Sequence, residues 1–370
     1  MTGASRHSIV LDLSAVPGRP AGVGRYGIEL VRALRGLVED ERYSSLALVN
    51  SGANWMVLRR ELGGIDVAAQ APRNVALRLL WEQAVLASRL RRADVSVVHG
   101  LHYTMPSRFG GARIVTVHDL TMVDNPQWHE STKVIYFTHA LRRDSRGADA
   151  IVVPSMATAD RLEALFSPRC RVVVIPHGIS RPSVEVTASS ERDDNHLLFV
   201  GTIEPRKGIE DLVAAFNRLA SVRPELHLTL VGQLGWKYAS ALEAIECSPF
   251  RSRIDLRGYV DDRELAQLFS TCSIFVYPSL AEGFGLPVLE AMAYGAPVIT
   301  TRDSAMAEVS EGVATLVPPH AGSELADALA CELDHPHDQT DRVRRGIEVA
   351  RCYSWDRSAR SHLELYRSLT

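Results

Sequence analysis

Twelve short runs rich in Val, Ile and Leu, set in two series of six, constrain the fold of this chain more than any other feature. The first series is SIVLDLS (8–14), LALVN (46–50), VSVVHG (95–100), RIVTVHDL (113–120), AIVVPS (150–155) and RVVVIPHG (171–178). The second is HLLFVGT (196–202), LHLTLVGQ (226–233), RIDLRGYV (253–260), SIFVYPSL (273–280), PVITT (297–301) and ATLVPP (314–319). Such runs suit strands buried on both faces, as parallel strands are when helices cover both sides of their sheet. Helical patterns such as GIEDLVAAFNRLA (208–220) lie between them. The chain therefore predicts an α/β fold of two successive units, each on a parallel sheet, and its 370 residues suit two domains.

The stretch SRPSVEVTASSERDDN (180–195) is polar and poor in large apolar side chains, which suits a linker. The expected division is an N-terminal domain over 1–180, a linker over 181–195, a C-terminal domain over 196–350 and a final helix within 351–370. That helix has an N-cap candidate in Ser354 and apolar Leu363, Leu365, Tyr366 and Leu369 at helical spacings; it can pack on either domain.

A net charge of −3 argues against a polyanion-binding surface, so no nucleic-acid partner is expected. The five cysteines are scattered and never form C-x-x-C, so neither a disulfide framework nor a zinc site is indicated. The apolar run before Pro17 is short for a signal peptide, and no stretch approaches the ~20 apolar residues that span a bilayer. The expectation is a soluble, cytoplasmic protein, with loose contact to a membrane surface left open.

In open parallel sheets ligands bind beyond the carboxyl ends of the strands, so the residues following each run matter most. The first run leads to GRPAGVGRYGIELVRAL, where Gly22 and Gly24 precede a helical pattern; a plain turn accounts for them as well as an anion site does. The seventh ends GTIEPRKG, with Gly201, Arg206, Lys207 and Gly208. Two adjacent cations at a helix start suit a diphosphate, and a solvated turn fits about equally. After SIFVYPSL comes AEGFGLPVLEAMAYG, where Pro287 suits a first helical turn and Gly283 and Gly285 a loop. Glu282 and Glu290 stand eight residues apart there; alone, the pair reads more readily as a cap and a surface residue.

The text EGFGLPVLE is nevertheless the Glu-x7-Glu hallmark of retaining glycosyltransferases of family 4, with two Rossmann-like domains facing across a cleft (the GT-B architecture). The resemblance extends over most of the chain, through GVGRYGIEL, TVHDL, VGTIEPRKGIEDLVAAF, LVGQLGW, LRGYVDDREL and AYGAPVIT, and is strongest to mannosyltransferase-like members. It implies donor binding mainly on the C-terminal domain and acceptor binding mainly on the N-terminal one. Arg206 and Lys207 resemble the cationic pair on the donor diphosphate, beyond Gly201. Gly24 resembles the loop glycine that approaches the same group. Glu290 resembles the ribose-binding acid and Glu282 the acid beside the transferred sugar. The amides of Phe284, Gly285 and Leu286 would bind sugar hydroxyls or phosphate oxygens, and Tyr259 and Val260 resemble the base-contacting edge. His118 matches the histidine near the reacting carbon, which orients the sugar. Asp119, Asp124, Trp128 and His129 are candidates for the acceptor side.

The resemblance implies transfer of a hexose with retention, by same-face attack in which the departing β-phosphate takes the acceptor's proton while Arg206 and Lys207 hold the developing charge. No metal and no cofactor beyond the nucleotide-sugar donor is expected. GDP-mannose is the first choice of donor, with a UDP-sugar or another GDP-sugar as the alternative; the acceptor is a glycan or a lipid-linked sugar. Two units joined by a linker also predict closure on donor binding. A phosphorylase or epimerase on the same architecture, and a non-catalytic nucleotide-sugar or glycan binder, remain as other readings. The Arg-rich segment RLLWEQAVLASRLRR (78–92) is the best candidate for a membrane-facing helix, although packing of Leu79, Leu80, Val85 and Leu86 explains it equally well.

Overall fold

The computed structural model of the chain describes residues 7–17, 22–39, 43–52, 54–93, 95–180, 192–310 and 312–370. The chain forms two compact units. The first comprises residues up to Asp124, Glu130–Gly178 and Ser354–Thr370; the second comprises Asn125–His129 and Ile179–Tyr353. Most of the expected linker, residues 181–191, lies outside the described residues, and a strand already begins at Asp193.

The first unit holds seven strands: β1 (His7–Asp12), β2 (Tyr43–Ser51), β3 (Asp66–Ala71), β4 (Val97–Gly100), β5 (Ala112–Thr116), β6 (Ala150–Val153) and β7 (Arg171–Val174). They pair in parallel in the order β3-β2-β1-β4-β5-β6-β7. Six of them carry the six apolar runs of the first series. The seventh, β3, was not expected, because DVAAQA has one branched aliphatic residue and alternates in exposure at the sheet edge.

The second unit holds β8 (Asp193–Val200), β9 (His227–Val231), β10 (Ile254–Gly258), β11 (Cys272–Tyr277), β12 (Val298–Thr301) and β13 (Thr315–Val317), parallel in the order β10-β9-β8-β11-β12-β13. All residues of β11 and β12 are buried, as expected of inner strands under helices on both faces. Both sheets have the doubly wound order, which reverses direction beside their first strand. The crevice at that reversal, β1 against β4 and β8 against β11, is where such sheets bind ligands.

The last helix, Trp355–Leu369, packs in the first unit: Trp355, Ala359, Leu363, Leu365 and Tyr366 join the core around Ile9, Leu11, Leu30 and Leu34. Its Ser354 N-cap accepts from the Arg357 amide. A buried polar network fixes the same contact. His99 bridges Tyr366 (Nδ1 to the hydroxyl, 2.7 Å) and Thr116 (Nε2 to Oγ1, 2.8 Å), while the Tyr26 hydroxyl lies 3.2 Å from both Thr116 Oγ1 and His362 Nε2.

Candidate active site

In the second unit, Gly201 directly follows β8, and its amide donates to the Val231 carbonyl (2.8 Å). A short turn, Pro205–Lys207, then reaches Gly208, which caps helix Ile209–Ala220 with φ +66°. A Cβ at Gly208 would lie 2.3 Å from the Pro278 carbonyl oxygen, so only glycine lets the loops after β8 and β11 lie this close. They are tied together there: the Leu280 amide and the Ser279 hydroxyl both donate to the Arg206 carbonyl, at 2.7 and 3.0 Å. The β11 loop is braced from β12 by Thr300 and Thr301, whose hydroxyls donate to the carbonyls of Tyr277 and Ser279.

This clasp places Glu282 against the cationic pair. Its Oε1 accepts from Tyr277 at 2.9 Å, lies 2.9 Å from the Ser279 oxygen, whose single proton it shares with the Arg206 carbonyl, and pairs with Lys207 Nζ. Its Oε2 pairs with Arg206 at 2.6 Å, and Arg206 Nε pairs with Glu204 at 2.5 Å. Lys207 also donates to the Tyr277 oxygen (2.6 Å). Two cations thus face two carboxylates in a shielded setting, where an unpaired charge would be expensive. Burial acts to raise the Glu282 pKa, but Arg206 and then Lys207 overcome it and hold the carboxyl well below its ordinary range. Burial, followed by the neighbouring guanidinium, lowers Lys207, with Glu282 opposing. Burial raises Glu204, which Arg206 partly offsets. The cluster can therefore present two fixed cations to an anion while a carboxylate stands beside them.

Gly285, at φ +101°, begins helix Leu286–Ala293, with Pro287 in its first turn as expected. A Cβ on Gly285 would meet Met306 Cγ at 2.8 Å. The backbone of Phe284, Gly285 and Leu286 thus forms the start of this helix, whereas the Phe284 side chain is buried and packs edge-on to Tyr353. Glu290 sits half-buried one turn further on. Beyond β10, Tyr259 is 75% exposed while Val260 belongs to the core, so only the first of that pair presents its side chain. Trp128 and His129 group with this unit, His129 lying 5.8 Å from the Trp236 ring.

In the first unit, Gly24 lies in the first turn of helix Val23–Glu39. His118 follows β5 and is 7% exposed. Its Nε2 lies 2.8 Å from the Leu101 carbonyl, which can only accept, so Nε2 carries the proton and Nδ1 is left as the acceptor in the neutral ring. Burial keeps the ring neutral, lowering its pKa against the opposing pull of Leu101 and Asp119. Tyr26 packs edge-on at 5.0 Å and His177 stands 5.5 Å away. Asp119 accepts from the Thr121 amide and hydroxyl, and Asp124 is ion-paired with Arg161. Sequence reasoning passed over Glu204, Tyr277 and Ser279, although each stands in a strand-end stretch already singled out.

Two doubly wound parallel units, with an acid-and-cation cluster at the reversal of the second sheet, give the GT-B fold, and comparison with known proteins adds the class, a glycosyltransferase. Residues 20–181 match the family described as Glycosyltransferase Family 4, and residues 194–335 match Glycosyl transferases group 1. The chain belongs to this glycosyltransferase family. It is 27% identical over 377 residues to O-antigen chain mannosyltransferase B of Escherichia coli, covering 94% of this chain and 96% of that one. It is 33% identical over 235 residues to D-inositol 3-phosphate glycosyltransferase of Paenarthrobacter aurescens, covering 60% and 58%. Sucrose-phosphate synthase from Thermosynechococcus elongatus shares the fold, with a TM-score of 0.75 at 21% identity over 98% of this chain and 99% of that one.

Proposed function

We propose that this glycosyltransferase moves mannose from GDP-mannose onto a growing glycan, with retention of configuration. The observation that carries the sugar and the acceptor class is the similarity to an O-antigen chain mannosyltransferase over nearly the full length of both chains. In this reading Arg206 and Lys207 exchange part of their pairing with Glu282 for the donor diphosphate, and they hold the charge that develops there as the sugar–phosphate bond breaks. Glu282 then turns to hydroxyls of the transferred sugar. Glu290 accepts from the ribose, Tyr259 lies along the base, and the backbone from Phe284 to Leu286 meets phosphate or sugar oxygens. In the first unit, Gly24 lets its backbone come close to phosphate, and His118 offers Nδ1 to a sugar hydroxyl. The acceptor hydroxyl attacks the anomeric carbon on the face the phosphate leaves, and its proton passes to the departing β-phosphate oxygen.

A panel of GDP-, UDP-, ADP- and TDP-sugars tests this by thermal shift and turnover, beside Glu290→Ala. Stabilisation and mannosyl transfer with GDP-mannose, giving an α-linked product by NMR and weakened in Glu290→Ala, are the expected results. Turnover confined to a UDP-sugar overturns the donor, and an inverted product overturns the mechanism.

A further inference from the structure

Helix Val75–Trp81 continues through a wider π-helical turn, Glu82–Leu86, into helix Ala87–Arg92. The second half of this rod is anchored: Leu86 and Leu90 are buried with Val10, Val49, Ala69 and Val98. The first half is not. None of Val75–Trp81 is buried, and Val75, Leu77 and Leu80 are 60%, 57% and 68% exposed. Core packing therefore accounts for Leu86 but not for Leu80.

The charge around these residues is one-sided. Arg73, Arg89, Arg91 and Arg92 are exposed, and none of them forms an ion pair among the described residues. Arg73 donates to the Gly52 carbonyl and Arg91 to the Ser88 hydroxyl. The one acid between positions 73 and 92 is Glu82. It is buried, accepts from Thr104 and Gln83, and burial and then Asp12 act against its ionisation, so it does not reach the exposed arginines as a surface charge. Asp149 shares a groove with Arg91 but faces Arg113 at 3.5 Å. On a chain of net charge −3, this is a local basic and apolar surface.

We propose that the rod from Val75 to Arg92 docks on an anionic lipid surface, with Val75, Leu77 and Leu80 entering the headgroup layer and Arg73, Arg89, Arg91 and Arg92 meeting lipid phosphates. Apolar side chains alone would fit a second protein equally; leucines beside unpaired arginines select an anionic bilayer. Contact is interfacial, since among the described residues no helix is long and apolar enough to cross a membrane. The inference does not depend on which sugar is transferred. It puts the enzyme where a lipid-linked acceptor would be met.

The test is co-sedimentation of the full chain with vesicles of pure phosphatidylcholine or of equal parts phosphatidylcholine and phosphatidylglycerol. Pelleting only with the anionic vesicles, and less at high salt, is expected. The surface variants Leu77→Gln/Leu80→Gln and Arg89→Gln/Arg91→Gln/Arg92→Gln should each weaken it about tenfold or more, with the thermal shift by nucleotide sugar unchanged. Failure of the parent to bind anionic vesicles, or binding equal to the parent's in both variants, overturns the proposal. A dimer in solution that Leu77→Gln/Leu80→Gln dissolves, without vesicle binding, assigns the face to a second copy instead.

Discussion

Replacing Glu282 by glutamine removes one charge from a cluster of two cations and two carboxylates while keeping nearly the same shape. The side chain is 12% exposed, between Lys207 at 6% and Arg206 at 16%, so neither cation has much recourse to water. Removing one partner of a buried pair costs roughly 3–5 kcal/mol, mostly from the charge left behind. The amide oxygen still accepts from Tyr277 and still shares the Ser279 proton, which places the expected cost at the low end, about 3 kcal/mol. For a unit of this size, that lowers the melting temperature by roughly 6–12 °C. Calorimetry of Glu282→Gln beside Glu290→Gln measures it. A second readout separates structure from donor binding. GDP brings its own negative charge to Arg206 and Lys207, so it should raise the melting temperature more in Glu282→Gln than in the parent. A variant that melts within about 2 °C of the parent would refute the charge argument. A GDP shift no larger than the parent's would refute the view that diphosphate and carboxylate share the same cations.

The first unit should lose stability in mild acid. Burial lowers His362 to about 4 and His102 to about 3, against about 6.5 in an unfolded chain, so the unfolded state binds the extra protons. The stability is present above pH 6.5 and declines as pH falls towards 4, by up to about 1.4 kcal/mol per pH unit for each histidine. Melting at pH 7 and pH 5 checks this, and His362→Phe should flatten the dependence; a melting temperature unchanged over that range would refute it. Gly208→Ala should cost at least about 2 kcal/mol, because it adds a left-handed alanine to a Cβ meeting the Pro278 carbonyl. It should also weaken GDP binding by displacing Arg206 and Lys207, and unaltered GDP affinity by titration would show that the clasp does not position them.

Much of the architecture was legible because its signals are local. All twelve apolar runs became strands; inner strands such as β6, β11 and β12 are apolar because both their faces are buried, whereas the edge strands β7, β10 and β13 kept enough apolar residues to be seen although they are only partly buried. Pro287 and Gly285 marked a helix start through backbone geometry that needs no distant partner. The edge strand β3 escaped notice because an alanine-rich edge carries little of that signal.

The site divides in the same way. Order along the chain placed Arg206, Lys207, Glu282, Glu290 and His118 after strands, where parallel sheets bind ligands. Which charge meets which was settled by loops 75 residues apart, through a glycine that tolerates the Pro278 carbonyl. Glu204 and Tyr277 became part of the cluster only because that approach excludes water and makes pairing obligatory.

The final helix shows the boundary most clearly. Its amphipathic pattern and Ser354 cap determine that it is a helix, but an apolar stripe fits any apolar groove. Only the fold chose the first unit, where His362 and Tyr366 find Tyr26 and His99, because hydrogen bonds are directional and hydrophobic contact is not.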